Sequence, residues 1–231
     1  MEALKMKTYN EILKDIENAK KELKKAEETE SKLINEITTA ESWERKKEIK
    51  KSLSDKITKA ATKKEDLNIT IKMLKNNARV ALFHEAMPVV VETLGKYKNK
   101  PYGEKTRQKI SDEIKEKTGC RCYIGGGYGN TDINIYPEKY GYDITAGTMN
   151  TPLLIENRVQ PVNVEDIKLY YIRNTYIEDI PAAIAEMRAA YAKAVETQKE
   201  LEKICDQFNA YAVEGIERIY KDKYIYERFT V

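Results

Sequence analysis

Apolar residues recur every three or four positions over the first third of the chain. Ile12, Ile16, Ala19, Leu23, Ala26, Leu33, Ile37 and Ala40 fall on one seam, with Glu30 as a polar interruption. A second run follows at Ile49, Leu53, Ile57, Ala60, Leu67, Ile71, Leu74, Ala78 and Ala81, broken by Lys64. Steps of three and four put side chains on one face of a helix, and a sustained stripe of that kind needs a partner helix to cover it. Between the runs, residues 38–48 have a poor seam, and Thr38 with Glu41 fits a capping box. One helix running through would reach roughly 130 Å from about residue 8 to residue 94. Two helices turning near residues 41–48 are the more economical solution.

The most regular heptads come last: Ile177, Ile180, Ile184, Met187, Tyr191, Ala194, Gln198, Leu201, Cys205, Phe208, Ala212 and Ile216. Pro181 fits the first turn, where its missing N–H costs nothing. The rod over residues 177–220 measures roughly 65 Å, close to half of the N-terminal run. A three-helix coiled-coil bundle follows as the expectation, with the middle of the chain inserted between helices that run back alongside each other.

Glycine and proline mark off that middle. All six prolines and nine of the ten glycines lie in residues 88–181. Residues 102–118 read as a helix stopped by Gly119 in the left-handed region. Residues 120–124 and 131–136 read as two strands of a hairpin around the loop at Gly125 to Asn130. Further strand candidates are 142–145, 153–155, 159–160 and 167–173, with a turn at Asn157 and Arg158. The expected fold class is therefore α+β: a predominantly helical coiled-coil bundle with an inserted small helix-plus-antiparallel-sheet module. The expected division is 1–94, 95–176 and 177–231.

Composition narrows the function. Lys and Arg total 41 against 38 Asp and Glu, a net charge of +3. So balanced a chain is neither a nucleic-acid mimic nor a strongly basic binder. Of the basic residues 32 are Lys and only 9 Arg, which suits solvated helix faces better than bidentate phosphate or base recognition. No apolar run is long enough for a membrane span, and residues 1–20 lack a secretory pattern. Three cysteines, Cys120, Cys122 and Cys205, show no framework spacing and point to a reducing, cytoplasmic setting.

Catalytic chemistry is sparse. The single histidine, His84, falls in a helical and mostly apolar run, and no Gly-x-Ser-x-Gly elbow occurs. Cys120 and Cys122 make a C-x-C pair on one face of a strand, and a zinc site would need two more ligands. The Gly125–Gly129 loop lacks the Walker pattern and leads into no helix. Asp132, Asp143 and Glu138 could together hold Mg²⁺ through hard oxygen ligands, the basis of a metal-dependent hydrolase as the second alternative. No catalytic residue, metal or cofactor is assigned on this reading, and the expected function is non-enzymatic.

Tyrosine is the anomaly. Of 16 tyrosines, ten fall between 97 and 176, against three Phe and one Trp in the whole chain. Tyrosine set among Gly and Asn is the composition of a contact surface. The partner-binding residues expected are Tyr123, Tyr128, Asn130, Tyr136, Tyr140 and Tyr142, on a head that binds a protein partner. Residues 97–176 carry 12 basic and 10 acidic side chains, a weak attractor for phosphate. Nucleic acid is the alternative partner, held by Lys20, Lys21, Lys24, Lys25, Lys46, Lys47, Lys50 and Lys51 on the first two helices. No membrane partner is expected, and the coiled coil admits a homo-oligomer. The Lys-, Ile- and Asn-rich composition fits a phage or mobile-element origin. The biological expectation is an inhibitor of a host defence complex, anti-CRISPR-like, that acts by steric occlusion.

Overall fold

The structure, a computed structural model, describes residues 6–125, 132–138, 141–148, 153–170 and 175–210. The chain runs α1 (Tyr9–Thr38), α2 (Trp43–Lys96), α3 (Glu104–Thr118), β1 (Cys120–Gly125), β2 (Asp132–Pro137) and β3 (Ile144–Thr148). It continues with β4 (Leu154–Ile155), β5 (Arg158–Val159), β6 (Ile167–Leu169) and α4 (Ile180–Ala210). Mostly helical, with a small antiparallel sheet, the fold is α+β. It divides into two compact units that meet between Glu178 and Asp179 in sequence. Among the described residues no helix is long and apolar enough to cross a membrane.

α1 and α2 pack against each other through the two apolar seams. Ile12, Ile16, Ala19 and Ala26 on α1 are buried, as are Leu53, Ile71, Leu74, Ala78 and Ala81 on α2. The two polar interruptions meet: the Lys64 ammonium pairs with the Glu30 carboxylate. Farther along, the Tyr9 backbone N–H donates to Glu85 Oε1 at 2.8 Å. Tyr9 and Glu30 are 21 residues apart, as are Lys64 and Glu85. Equal spacing keeps the antiparallel pair in one register over three heptads. Sliding either helix would set an unpaired charge against an apolar seam, so the ion pair selects that register.

The chain reverses at residues 39–42, and the caps explain where. The Thr38 and Thr39 hydroxyls both donate to the Asn35 carbonyl and close α1. Ser42, not Thr38, opens the next helix, its Oγ accepting from Arg45 N. The helices are consequently unequal, 30 and 54 residues, or about 45 and 80 Å. At the other end of α1 a capping box joins Thr8 and Glu11. Glu85 then satisfies the Tyr9 N–H, one of the donors that every helix start leaves open. Pro88 lies within α2 and offers no N–H to the His84 carbonyl; both residues face outward, where solvent can satisfy it.

The sheet order is β1-β2-β3-β6, all antiparallel. Cys120, Cys122, Ile124, Ile133, Ile135, Ile144, Ala146, Ile167 and Leu169 form its buried face. α3 brings Ile110 and Ile114 against β1, and the distal half of α2 contributes Leu82, Met87, Val90 and Leu94 to the same core. Gly119, at φ +68°, ends α3 in the left-handed region that a Cβ disfavours. The β4–β5 hairpin turns on Glu156 and Asn157, both at positive φ, as a type I′ turn demands. It docks on the α2–α3 connection through Asn99 N to Val159 O at 2.9 Å and Tyr102 N to Asn157 O at 2.7 Å.

Three polar fastenings complete this unit. The Tyr97 hydroxyl donates to Glu113 Oε1 at 2.6 Å, and Lys96 reaches the same carboxylate at 3.3 Å. These donors hold the Glu113 carboxyl below its ordinary range. The Asn77 side chain exchanges two hydrogen bonds with the Ile177 backbone, 2.7 Å to its carbonyl and 2.8 Å from its N–H. The buried Tyr9 hydroxyl accepts from Tyr142 N at 2.8 Å and lies against Gly141.

The second unit holds α4. Asp179 caps it, Oδ1 accepting from Ala182 N at 2.9 Å, and Pro181 sits in its first turn. Met187, Tyr191 and Leu201 of the expected seam are exposed along it.

Three outcomes follow from this packing. A Cβ at Gly141 would overlap the Tyr9 hydroxyl and press on the Pro137 ring at 2.9 Å, so Gly141→Ala should cost about 1–3 kcal/mol in denaturant unfolding. Gly95→Ala, where a Cβ meets nothing within 4 Å, should instead stabilise by about 0.5–1 kcal/mol. Glu113 titrates below an unfolded glutamate, whose ordinary value is 4.5. Its contribution is therefore complete above that value and lost as pH falls through the lowered one. Glu113→Gln should lower the melting temperature at neutral pH and flatten its fall on acidification, as followed by circular dichroism.

Candidate functional site

Strand alternation gives the sheet a second face, opposite the core. Its residues are Arg121 and Tyr123 on β1, Asp132, Asn134 and Tyr136 on β2, Thr145 and Gly147 on β3, and Lys168 on β6. Pairing lines them up. Tyr123 lies opposite Asn134 and Asn134 opposite Thr145. Tyr170, just past β6, donates its backbone N–H to the Thr145 carbonyl at 2.9 Å and completes the row. With strands about 4.8 Å apart, the row spans about 14 Å. At its centre the Thr145 hydroxyl donates to Asn134 Oδ1 at 2.8 Å.

Two glycines shape this surface. A Cβ on Gly125 would meet the Tyr123 ring at 2.7 Å, and one on Gly147 would overlap the Tyr170 ring. Each ring therefore lies over a bare stretch of backbone, an arrangement that shields strand glycines. Tyr123 is 52% and Tyr136 40% exposed. Beside them is a shallow pocket of about 430 Å³, lined by Ser111, Arg121, Cys122, Tyr123 and Tyr136.

Of the six expected contact residues, the structure places Tyr123 and Tyr136 on this outer face. Tyr142 is half-buried on the opposite side, its ring 5.2 Å from the Arg79 guanidinium and 5.8 Å from the Lys75 ammonium. Tyr128, Asn130 and Tyr140 lie outside the described residues. Arg121, Asn134, Thr145 and Tyr170 lie on the same face and are not among the six expected contact residues. The period-two alternation of strands 120–125 and 132–137 is the signal that would have grouped the first two with Tyr123 and Tyr136.

The tyrosine count has a second cause besides contact. Tyr97 and Tyr102 are buried, and each hydroxyl finds an acceptor, Glu113 for one and the Ile124 carbonyl at 2.7 Å for the other. A phenol so placed fills a core like Phe and also satisfies a nearby acceptor.

The other chemistry-bearing groups are dispersed. Cys120 and Cys122 point into the core side of β1; burial pushes the Cys122 thiol up to about 12 and raises Cys120 as well. Neither is a thiolate near neutral pH. His84 is exposed on α2, edge-on to the Phe83 ring. Glu138 pairs with Lys115 at 2.6 Å. Asp132 opens β2 opposite Gly147, whereas Asp143 precedes Ile144, the partner of Ile135. That offset of four residues separates the two backbones by about 13 Å. Among the described residues no three His, Cys, Asp or Glu side chains gather as a metal site.

No known family, curated protein or solved structure matches this chain.

The thiol environments predict a simple titration. At about pH 8 a thiol reagent should modify Cys205 rapidly in the native protein, and Cys120 and Cys122 only after denaturation. Three fast thiols in the native state would contradict the packing of β1.

Proposed function

We propose that the chain is a non-enzymatic interaction protein whose outer sheet face binds a protein partner. The observation that carries this reading is the four-strand row running from Tyr123 to Tyr170, with Tyr136 beside it. Large amphipathic rings stand there at low conformational cost on a rigid sheet, around a hydrogen-bonded Asn and Thr. Arg121, Asp132 and Lys168 give the face mixed charge, which suits a protein surface better than a run of phosphates. α1 and α2 serve as a rigid support. We read the stripe on α4 as a coiled-coil seam. In the phage or mobile-element setting suggested by composition, such a head would act by covering a host complex.

Nucleic acid is the competing reading, since Lys20, Lys21, Lys24, Lys25, Lys47, Lys50 and Lys51 are all exposed. Interleaved Glu22, Glu27, Glu28 and Glu48 offset them.

Replacing Tyr123 and Tyr136 together with Ala should leave the melting curve nearly unchanged. Recovery of the partner in native pull-downs, quantified by mass spectrometry, should drop about ten-fold or more. Unchanged recovery, or retention of nucleic acid that falls steeply with added salt, would refute the contact face.

A further inference from the structure

β1 is an outer strand, so half of its backbone groups have no strand to pair with. Which half follows from the ladder. In antiparallel pairs, residues alternate between exchanging both hydrogen bonds with their partner and turning both groups the other way. The Tyr170 N–H reaches the Thr145 carbonyl, so Thr145 turns toward β6. Ile144 and Ala146 then turn toward β2 and bond to Ile135 and Ile133. Asn134 and Tyr136 must turn toward β1, where they bond to Tyr123 and Arg121. Cys120, Cys122 and Ile124 are left pointing outward along the free edge.

Two independent contacts agree with that assignment. The outward Cys120 N–H is taken by Thr118 Oγ1 at 3.1 Å, and the outward Ile124 carbonyl accepts from the Tyr102 hydroxyl at 2.7 Å. Between these closed ends stands Cys122, whose N–H and C=O have no partner among the described residues. They open onto the pocket lined by Ser111, Arg121, Tyr123 and Tyr136. Cys122 is only 7% exposed, so these groups lie in a partly covered slot, where an unpaired donor and acceptor are costly.

We propose that this slot takes one short extended segment of the protein partner, added to β1 as a fifth strand and carrying an acidic side chain. This rests on the reading of the outer face as a protein contact surface. One partner residue would exchange two backbone hydrogen bonds with Cys122, as in strand addition generally. Its side chain points to the inner face beside Ser111 and has to be small. The residues on either side of it lie over the outer face, one opposite Arg121 and the other opposite Tyr123. Arg121 has no carboxylate partner among the described residues and selects Asp or Glu; the Tyr123 and Tyr136 rings select an apolar side chain. Exchange of both bonds with one residue requires an antiparallel segment, so the recognised pattern reads apolar, small, acidic from N to C. A long sheet edge from a second copy is disfavoured because Thr118 and Tyr102 close the slot on both sides of Cys122.

The test is selection of a displayed random short-peptide library on the full chain, with the Arg121→Glu variant in parallel. Wild type should enrich the apolar, small, acidic pattern, and the exposed Arg121→Glu change should replace the acidic residue with a basic one. A synthetic peptide of the enriched sequence should slow hydrogen exchange at the Cys122 amide. Methylating the peptide nitrogen of the small residue should weaken binding about ten-fold or more. No enrichment, or binding indifferent to that methylation, would overturn strand addition. So would slowed Cys122 exchange on concentrating the chain alone, which would assign the edge to a second copy. If Tyr123 and Tyr136 are needed for the natural partner while Arg121→Glu changes nothing, strand addition falls and the contact face stands.

Discussion

The phenol of Tyr9 is the joint between the helical hairpin and the sheet. Its backbone N–H is held by Glu85 of α2, and its hydroxyl accepts from Tyr142 just ahead of β3. One buried residue of α1 thus sets both the phase of the two helices and the position of the strand beside them. The arrangement leaves no room at Gly141, where backbone must pass directly over the hydroxyl. Burial holds the Tyr9 hydroxyl above its ordinary range, opposed in part by the hydrogen bond from Tyr142, so the phenol stays neutral and keeps its shape in the joint.

Around that joint the molecule separates packing from presentation by strand parity. Inward positions are mainly Ile, with Cys120 and Cys122 among them, while outward positions carry Arg, Tyr, Asn, Thr and Lys. Tyrosine serves both sides. Where Tyr97 and Tyr102 are buried, their hydroxyls donate hydrogen bonds to a carboxylate and a carbonyl; where tyrosine is exposed, its ring covers glycine backbone or stands free. The polar network of Glu92, Lys96, Glu113 and Lys117 ties α3 to α2 from the solvent side. It supplies orientation, whereas the burial of Ile110 and Ile114 supplies most of the attraction.

Much of this was legible in the chain because helix and strand periods differ. The seams of α1 and α2 and the hairpin strands all follow from spacing. Glu30 and Lys64 are visible as interruptions, but their pairing depends on an antiparallel register that no single helix reveals. Thr38 with Glu41 fits a capping box by spacing, yet the hydrogen bonds of Asn35 and Arg45 make Thr38 the end of α1 and Ser42 the cap of α2. For the contact face, the excess of tyrosine was the signal, yet composition carries no parity. It could not tell that Tyr142 points toward Arg79 while Tyr136 points away, nor that Tyr9, far off in sequence, belongs to the same module.

The Asn77 fastening sets a timetable. Its partner, Ile177, is 100 residues further along the chain. The α1–α2 hairpin can pair as soon as Glu85 has left the ribosome, because its contacts are sequentially near and cheap to close. The segment that leads into α4 cannot be fastened to α2 until Ile177 has emerged as well. While α3 and the sheet are still being made, the nascent chain presents an apolar flank of α2 around Leu82, Met87 and Val90 without its eventual cover, the state in which a growing polypeptide most needs a chaperone.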